Sequence, residues 1–387
     1  EGEAIAWHLY EVLKKSSKAE FRRVTFHEIT KTAVEHAFEE SHEIDMDRVD
    51  AQQARRVLDR IVGYQVSPLL WRRGDGATSA GRVQTVALRL ICEREKEITA
   101  FEPREYWSLK LDMAKKGQKE LFLAQLMKLD GEKLDIPNEE MAVKLQKELQ
   151  KASLSVAKLS SKQRKQNPYA PFMTSTLQQA ASGALRMSPA QSMRIAQQLY
   201  EGVDLGGEGT SGLITYMRTD SLEIAKEAQQ ATLEFVDETY GAEYVPKKPN
   251  HYKSKGNSQG AHEAIRPTDV TRTPEFMKSY LTEEQLKLYT LIWKRFVASQ
   301  MTPAIFKQES VELEAKGDSV SHEYLFRSTF SKNIFPGHLK VYAIDEEEGA
   351  KEKQKALPDL EEGEVCDVKE FHTKQHFTEP PPRFPQA

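Results

Sequence analysis

The residues of this chain best suited to chemistry are a tyrosine and an arginine two positions apart, Tyr216 and Arg218, within Gly212-Leu-Ile-Thr-Tyr-Met-Arg-Thr-Asp-Ser221. A phenol, with an ordinary pKa of about 10, is a weak nucleophile near neutrality. A fixed cation beside it favours the phenolate and offsets charge on a phosphate under attack. The apolar, β-favouring run 213–217 predicts a strand, and its two-residue period puts Ile214, Tyr216 and Arg218 on one face, with the last two backbones about 7 Å apart. Asp220 with Glu223 three residues later predicts the N-cap and capping-box acid of a helix over 222–240. The kit is that of a phosphotyrosine bond formed where a strand gives way to a helix. The pair alone does not decide this, because a tyrosine at a strand end commonly packs, with a neighbouring arginine as cation–π or surface partner.

Three further constellations could serve a polyanion. The helix predicted over 47–60 carries Arg48, Arg55, Arg56 and Arg60 among apolar Val49, Val57 and Ile61, so one face packs while another presents guanidinium groups. The competing reading pairs those arginines with Asp50 and Asp59 of the same helix. Thr78-Ser-Ala-Gly-Arg-Val-Gln-Thr85 opens a helix to about 97, where small residues let backbone N–H groups approach a phosphate and Arg82 adds charge. Gln259-Gly-Ala-His-Glu-Ala-Ile-Arg-Pro-Thr268 sets His262, Glu263 and Arg266 close together for acid–base work, or pairs His262 with Glu263 in a turn.

The elements that must position these groups are legible from pattern and punctuation. Residues 1–9 are amphipathic at helical spacing, 23–30 reads as a short strand leading to a helix over 31–39, and 107–159 alternates like strands around a helix over 138–151. The strand-rich stretch 310–370 matches 107–159, so a sheet interrupted by 169–303 accounts for both. Helices are predicted at 175–181 and 188–202, the second with Ser188 as N-cap, Pro189 at N1 and Gly202 past its end. The two could also form a helix-turn-helix reader. Residues 289–296 read as core with surface charge, and 375–383 as an extended link.

With 387 residues the chain is long enough for two to four domains, and no apolar run approaches membrane-spanning length. Cys92 and Cys366 alone allow neither a disulfide framework nor a four-cysteine zinc site, which makes a reducing cytoplasm the default compartment. The formal charge of −4 hides a strong asymmetry. Residues 149–200 hold no acid against Lys151, Lys158, Lys162, Arg164, Lys165, Arg186 and Arg194, while acids gather at 345–348 and 359–364. The positive field is local, as a strand-binding groove requires.

Thr215-Tyr-Met-Arg-Thr-Asp-Ser221 resembles the active-site motif of the type IA DNA topoisomerases, with Met217 as in the bacterial branch. Ser79-Ala-Gly-Arg-Val-Gln84 is similar to a second motif of that family, with Thr78 where Leu is usual. The resemblance implies a multidomain α+β fold, a toroid of helical DNA-binding domains and a β-rich arch. Its expected parts are the end of a Toprim domain (1–43), a helical DNA-binding domain (44–103), the arch (104–170 and 304–372), a helical domain with the active-site tyrosine (171–303) and the start of a return (373–387). It implies ATP-independent relaxation of negatively supercoiled DNA, in which Tyr216 cleaves one strand, holds its 5′ phosphate, lets another strand pass and religates. Carried over residue by residue, the catalytic set is Tyr216, Arg218, His262 as phosphate contact and proton carrier, and Glu1. Glu1 matches the glutamate closing an Asp-x-Asp-x-Glu motif that holds Mg²⁺, so most metal ligands are expected upstream. The implied DNA contacts are Arg23, Arg48, Arg55, Arg56, Asp59, Tyr64, Arg82 and Gln84, including a pocket for an unstacked base. The partners implied are single-stranded and negatively supercoiled DNA, with a monomer in the cytoplasm at the nucleoid as the expected state. The chain is then expected to be a fragment without relaxation activity of its own, and the rival reading is a non-catalytic single-strand-binding module.

Overall fold

The computed structural model describes residues 2–72, 76, 78–253, 263–317, 320–343 and 356–385. The first part is helical. α1 (Gly2–Leu13) packs across α3 (Met46–Trp71), and between them α2 (Lys31–Glu39) starts at Thr30, whose hydroxyl accepts from the Ala33 amide. The strand expected at 23–30 is reduced to a single bridge between Arg23 and His42, because the rest of that stretch pairs elsewhere. α3 overruns its expected end at 60 by three turns and passes through Pro68, while α4 spans Gln84–Thr99. The packing face expected on α3 is mostly open: Val49 is buried, but Val57 and Ile61 are 54% and 47% exposed. No buried residue lies on α4, whose Val86, Leu88, Leu90 and Ile91 are exposed.

Beyond α4 come β1 (Glu105–Lys115), β2 (Leu121–Leu129), the two-residue β3 (Glu132–Lys133), α5 (Glu139–Leu149) and β4 (Ser153–Gln166). Asn138 caps α5 through the Met141 amide, and its amphipathic face packs on the sheet. A helical unit follows: α6 (Thr174–Leu185), α7 (Pro189–Glu201), the hairpin β5 (Val203–Asp204) and β6 (Thr210–Ser211), α8 (Lys226–Tyr240), α9 (Pro274–Met277) and α10 (Glu283–Ser299). The chain then re-enters the sheet with β7 (Ala304–Lys316), β8 (Tyr324–Phe335) and β9 (Val365–Phe377). The strand order is β1-β9-β4-β7-β8-β2-β3, and β1 also pairs with β2, so six antiparallel strands close on themselves with β3 appended. Closure removes the open edges that an exposed sheet would carry.

Two cores result. Inward-facing residues such as Leu109, Leu111, Phe122, Leu126, Leu313 and Phe326 fill the closed sheet, with Leu145 and Leu149 of α5 against them. The second core lies in the helical unit around Leu177, Ile195, Leu199, Ile214, Met217, Ile292 and Val297. α7 is bounded as its punctuation dictates, with Ser188 accepting from the Gln191 amide and Gly202 taking a φ of 123°. Arg295 was expected to be surface charge. Instead its Nε donates to Ala170 O at 2.6 Å and its guanidinium lies 4.6, 4.9 and 5.1 Å from the rings of Tyr169, Phe172 and Tyr342. It thus joins α10 to the segment that leaves the sheet.

Candidate active site and nucleic-acid interface

The segment carrying Tyr216 is extended but forms no strand over 213–217. Its partners come from three different places: Leu213 N donates to Leu199 O at 2.7 Å, Thr215 N to Arg266 O at 2.9 Å, and Tyr216 N to His27 O at 2.8 Å. Only Ile214 and Pro267 make a bridge, because no single neighbour runs alongside long enough for a ladder. Thr215 is wholly buried, its hydroxyl donating to Ala264 O at 2.7 Å and accepting from Arg266 N at 3.0 Å. From there the burial alternates: Met217 and Thr219 are buried, Tyr216 is half-buried, and Arg218 and Asp220 face outward. Tyr216 and Arg218 therefore emerge on the same side, as a period of two requires, while Ile214 points into the core.

The helix after the motif starts at Lys226, later than expected, with Ala225 rather than Asp220 at its N-cap and no side-chain cap bond. Residues between are held in hydroxyl turns: Ser221 N donates to Thr219 Oγ1 at 3.0 Å and Glu223 N to Ser221 Oγ at 3.1 Å. Such local bonds compete with a helical start. Ala225 N is satisfied from a distance by Glu263 Oε2 at 3.1 Å.

Around the nucleophile candidate, the Tyr200 ring stands edge-on to the Tyr216 ring with centroids 5.3 Å apart. Burial pushes the Tyr200 phenol up, and the neighbouring Tyr216 adds to this. Arg218 has no hydrogen bond or ion pair with any described residue, which leaves an uncommitted cation two residues from the phenol. Arg266, 4% exposed, sits behind the segment. Its Nε donates to Glu263 Oε2 at 2.8 Å and its Nη2 lies 3.0 Å from Glu28 Oε2. Burial works to lower its pKa, but the two carboxylates outweigh burial, so the group is held firmly as a cation. Sequence reasoning grouped Arg266 with His262 and Glu263 but missed Glu28, which nothing local in the sequence connects to it. His262 and Glu1 lie outside the described residues. Arg23 is partly buried, 3.5 Å from Glu3 Oε1 and next to the backbone of Gly2, so it stands beside the start of α1 with its charge paired.

The second cluster lines a cavity of about 570 Å³ between α3 and the loop before α4, with Gln52, Arg55, Arg56, Asp59, Tyr64 and Trp71 among its walls. The hydrogen-bonded partner of Asp59 lies beyond its own helix: Arg82 Nε donates to Asp59 Oδ1 at 2.8 Å. That hydrogen bond first, with the charges of Arg82 and Arg55 behind it, holds the Asp59 carboxyl below the usual range against the effect of desolvation. Arg55, Arg56 and Arg60 make no hydrogen bond or close ion pair with a described residue, and of the same-helix pairing considered for them only the charge of Arg55 acting on Asp59 is present. Tyr64 is 77% exposed, an open aromatic face. Trp71 Nε1 donates to Thr78 O at 2.6 Å and Ser67 Oγ accepts from Ala80 N at 3.0 Å, which fixes the loop to the helix. Gln84 is the first residue of α4, and Arg48 is exposed and paired with Asp45 at 3.1 Å. Two arginines without a hydrogen-bonded partner among the described residues, beside an exposed ring, suit a phosphate next to a base.

Among the described residues, one group could hold a cation, Asp112, Glu370 and His372, with His372 Nε2 3.0 Å from Asp112 Oδ2. It lies on β1 and β9 of the closed sheet, on elements that contribute nothing to the Tyr216 segment. No helix of the described residues is long and apolar enough to cross a membrane.

A family model described as DNA topoisomerase matches residues 43–387. The chain is 47% identical over 395 residues to DNA topoisomerase 1 of Rickettsia felis, covering 100% of this chain and 50% of that protein. It is 44% identical over 405 residues to DNA topoisomerase 1 of Xylella fastidiosa, covering 100% and 48%. It spans about half the length of these curated relatives. Its structure is similar to that of full-length topoisomerase I from Thermotoga maritima, with a TM-score of 0.80 and 38% identity over 99% of this chain and 59% of that one.

Proposed function

Because this chain belongs to the family of bacterial type IA DNA topoisomerases, we propose that it supplies the nucleophile and a strand-binding surface for transient cleavage of single-stranded DNA. Tyr216 Oη attacks a backbone phosphorus, the new P–O bond forms as the bond to the 3′ oxygen breaks, and that oxygen leaves with a proton. Religation is the reverse, and passage of a second strand between the two steps relaxes negative supercoils without ATP. Arg218 faces the same side as the phenol and offsets charge on the phosphate in flight. His262 is the proposed phosphate contact and proton carrier. Arg55, Arg56 and Tyr64 receive an unstacked base and its phosphates in the α3 cavity, with Asp59 in its wall held by Arg82. Arg23, Arg48 and Gln84 complete the proposed DNA contacts. The carrying observation is that half-buried Tyr216 and exposed Arg218 emerge on the same side of a segment whose other residues from 213 to 219 are buried.

Mg²⁺ is the ion expected of the family, and when bound it would stabilise the phosphate and DNA ends. The chain offers Glu1 towards it. A hard cation needs about six oxygen ligands, and among the described residues the neighbouring Glu3 is paired with Arg23 through one oxygen, so most of the ligands are proposed to come from outside this chain. The proposed arrangement is a Toprim end (1–43), a helical DNA-binding domain (44–103), an arch (104–170 and 304–372), a helical domain carrying Tyr216 (171–303) and the start of a return (373–387), and work on chromosomal DNA implies the cytoplasm.

The test uses a protein carrying this chain together with the flanking segments of its relatives. Incubated with single-stranded oligonucleotide and denatured, it yields a covalent adduct, while Tyr216→Phe binds equally and yields none. Adduct in the Phe variant places the chemistry elsewhere, and no adduct in the parent leaves a binding module. The isolated 387 residues are expected to bind weakly and to relax no plasmid.

A further inference from the structure

The contacts behind Tyr216 form a closed circuit between two remote parts of the chain. Tyr216 N donates to His27 O at 2.8 Å, and Gly212 N donates to Ile29 O at 3.0 Å. Between those two residues stands Glu28, whose Oε2 meets Arg266 Nη2 at 3.0 Å, and Arg266 in turn exchanges bonds with Thr215 through its own peptide. The route Glu28, Arg266, Thr215, Tyr216, His27 thus returns to its origin. The charged link is well shielded, with side chains 5% exposed for Arg266 and 17% for Glu28. It is also the link with least redundancy. Glu263 adds a hydrogen bond to Arg266 and another to Ala225 N, whereas Glu28 Oε2 has no aligned donor among the described residues. A second Glu28 oxygen is engaged by the Thr30 hydroxyl at 3.0 Å, at the cap of α2.

We propose that Glu28 and Arg266 are a positioning pair for strand cleavage, holding the backbone of Tyr216 in register with the segment that follows α1. This rests on the reading of Tyr216 as nucleophile and deepens it. Neither residue touches DNA. Their effect is on alignment, and displacement of a nucleophile by about 1 Å costs roughly a hundredfold in rate.

The experiment compares the parent protein, with its flanking segments, to Glu28→Gln. The amide keeps the size of the side chain and leaves Arg266 its bond to Glu263, so the helical unit retains its buried counterion. Single-turnover adduct formation on a labelled single-stranded oligonucleotide is measured across DNA concentrations. The maximal rate is expected to fall about 10- to 100-fold with the half-saturating DNA concentration unchanged. Amide exchange at 213–217 is expected to speed up. Arg266→Lys, which keeps a buried cation without the two-way fork, is expected to fall between the two. A parent-like maximal rate in Glu28→Gln overturns the proposal, and so does a loss confined to half-saturation. If the parent forms Tyr216-dependent adduct and Glu28→Gln equals it, this inference fails and the assignment of Tyr216 stands. If the parent forms none, the assignment itself fails.

Discussion

Gly212 marks the tightest approach in the candidate active site, and filling it should disable the site through packing alone. It does not use a left-handed φ, so the effect of Gly212→Ala is steric. The added Cβ would lie 2.7 Å from Tyr200 O, 3.1 Å from Ile29 O and 3.3 Å from Ile29 Cβ. Ordinary contact begins at 3.4 Å, so 3.4 − 2.7 leaves about 0.7 Å to be found by moving backbone on one side. One side is the end of α7 and the other is the 27–29 segment bonded to Gly212 N and Tyr216 N. Overpacking of this kind costs about 1–3 kcal/mol, and a stretched bond to Ile29 adds about 1 kcal/mol. The melting temperature should fall by about 2–8 °C. Because the strain is released next to the nucleophile, adduct formation should fall about tenfold or more at temperatures where the variant is folded. Gly183→Ala is the control. It lies within α6 with nothing within 4 Å of the new Cβ, and should leave adduct formation intact while gaining up to about 1 kcal/mol. A Gly212→Ala protein that melts and cleaves like its parent would refute the reasoning.

Two other outcomes follow from the same structure. Arg218→Lys keeps the charge and loses the planar fork, so adduct formation should drop while oligonucleotide affinity, read by fluorescence anisotropy, changes little; equal losses in both would make Arg218 an anchor. Cys366 is buried in β9, and burial, with Glu364 and Asp367 adding, pushes its thiol up to about 11, whereas Cys92 is exposed. At pH 8 a thiol reagent should label Cys92 promptly and Cys366 only after denaturation, read by peptide mass. The unfolded thiol ionises near 9 and the folded one near 11, so this group's contribution to stability is lost as pH rises between those values.

Side-chain punctuation made three helix starts legible, although Asp220 with Glu223 marked a start that does not form. Thr30, Asn138 and Ser188 each mark a helix start, because a hydroxyl or amide cap is a local bond. The end of α3 was not legible: the helix was expected over 47–60, yet it runs through Pro68 to Trp71, where the loop at 78–80 ties it down through Ser67 and Trp71. For the Tyr216 segment, alternation told which side chains emerge but not what the backbone bonds to. Its three partners are remote in sequence, and a β-favouring run reads alike whether or not a neighbour runs beside it. Asp59 misled for the same reason: its nearest opposite charges in sequence lie on α3, yet its partner, Arg82, arrives from a loop. The Arg295 cage drew aromatic rings from both sides of the helical unit, which no single window of sequence contains.

The strand ends carry a consequence for how the molecule can be taken apart. Glu105 pairs with Phe377 where β1 leaves and β9 returns, and Gln166 pairs with Ala304 where the helical unit leaves and re-enters the sheet. Past the first pair, Arg104 and Thr378 exchange hydrogen bonds, and the tail lies back on α4, with Arg383 on Glu95 and Phe384 under Arg94. Each inner unit is therefore a detour whose exit and entrance are neighbours, like drawers within drawers. A short turn could replace residues 167–303, or a foreign domain could stand in for them, without shifting the ends of the outer piece. Grafting experiments, and gene-level exchange of such units between proteins, have their seams already drawn by these two rungs.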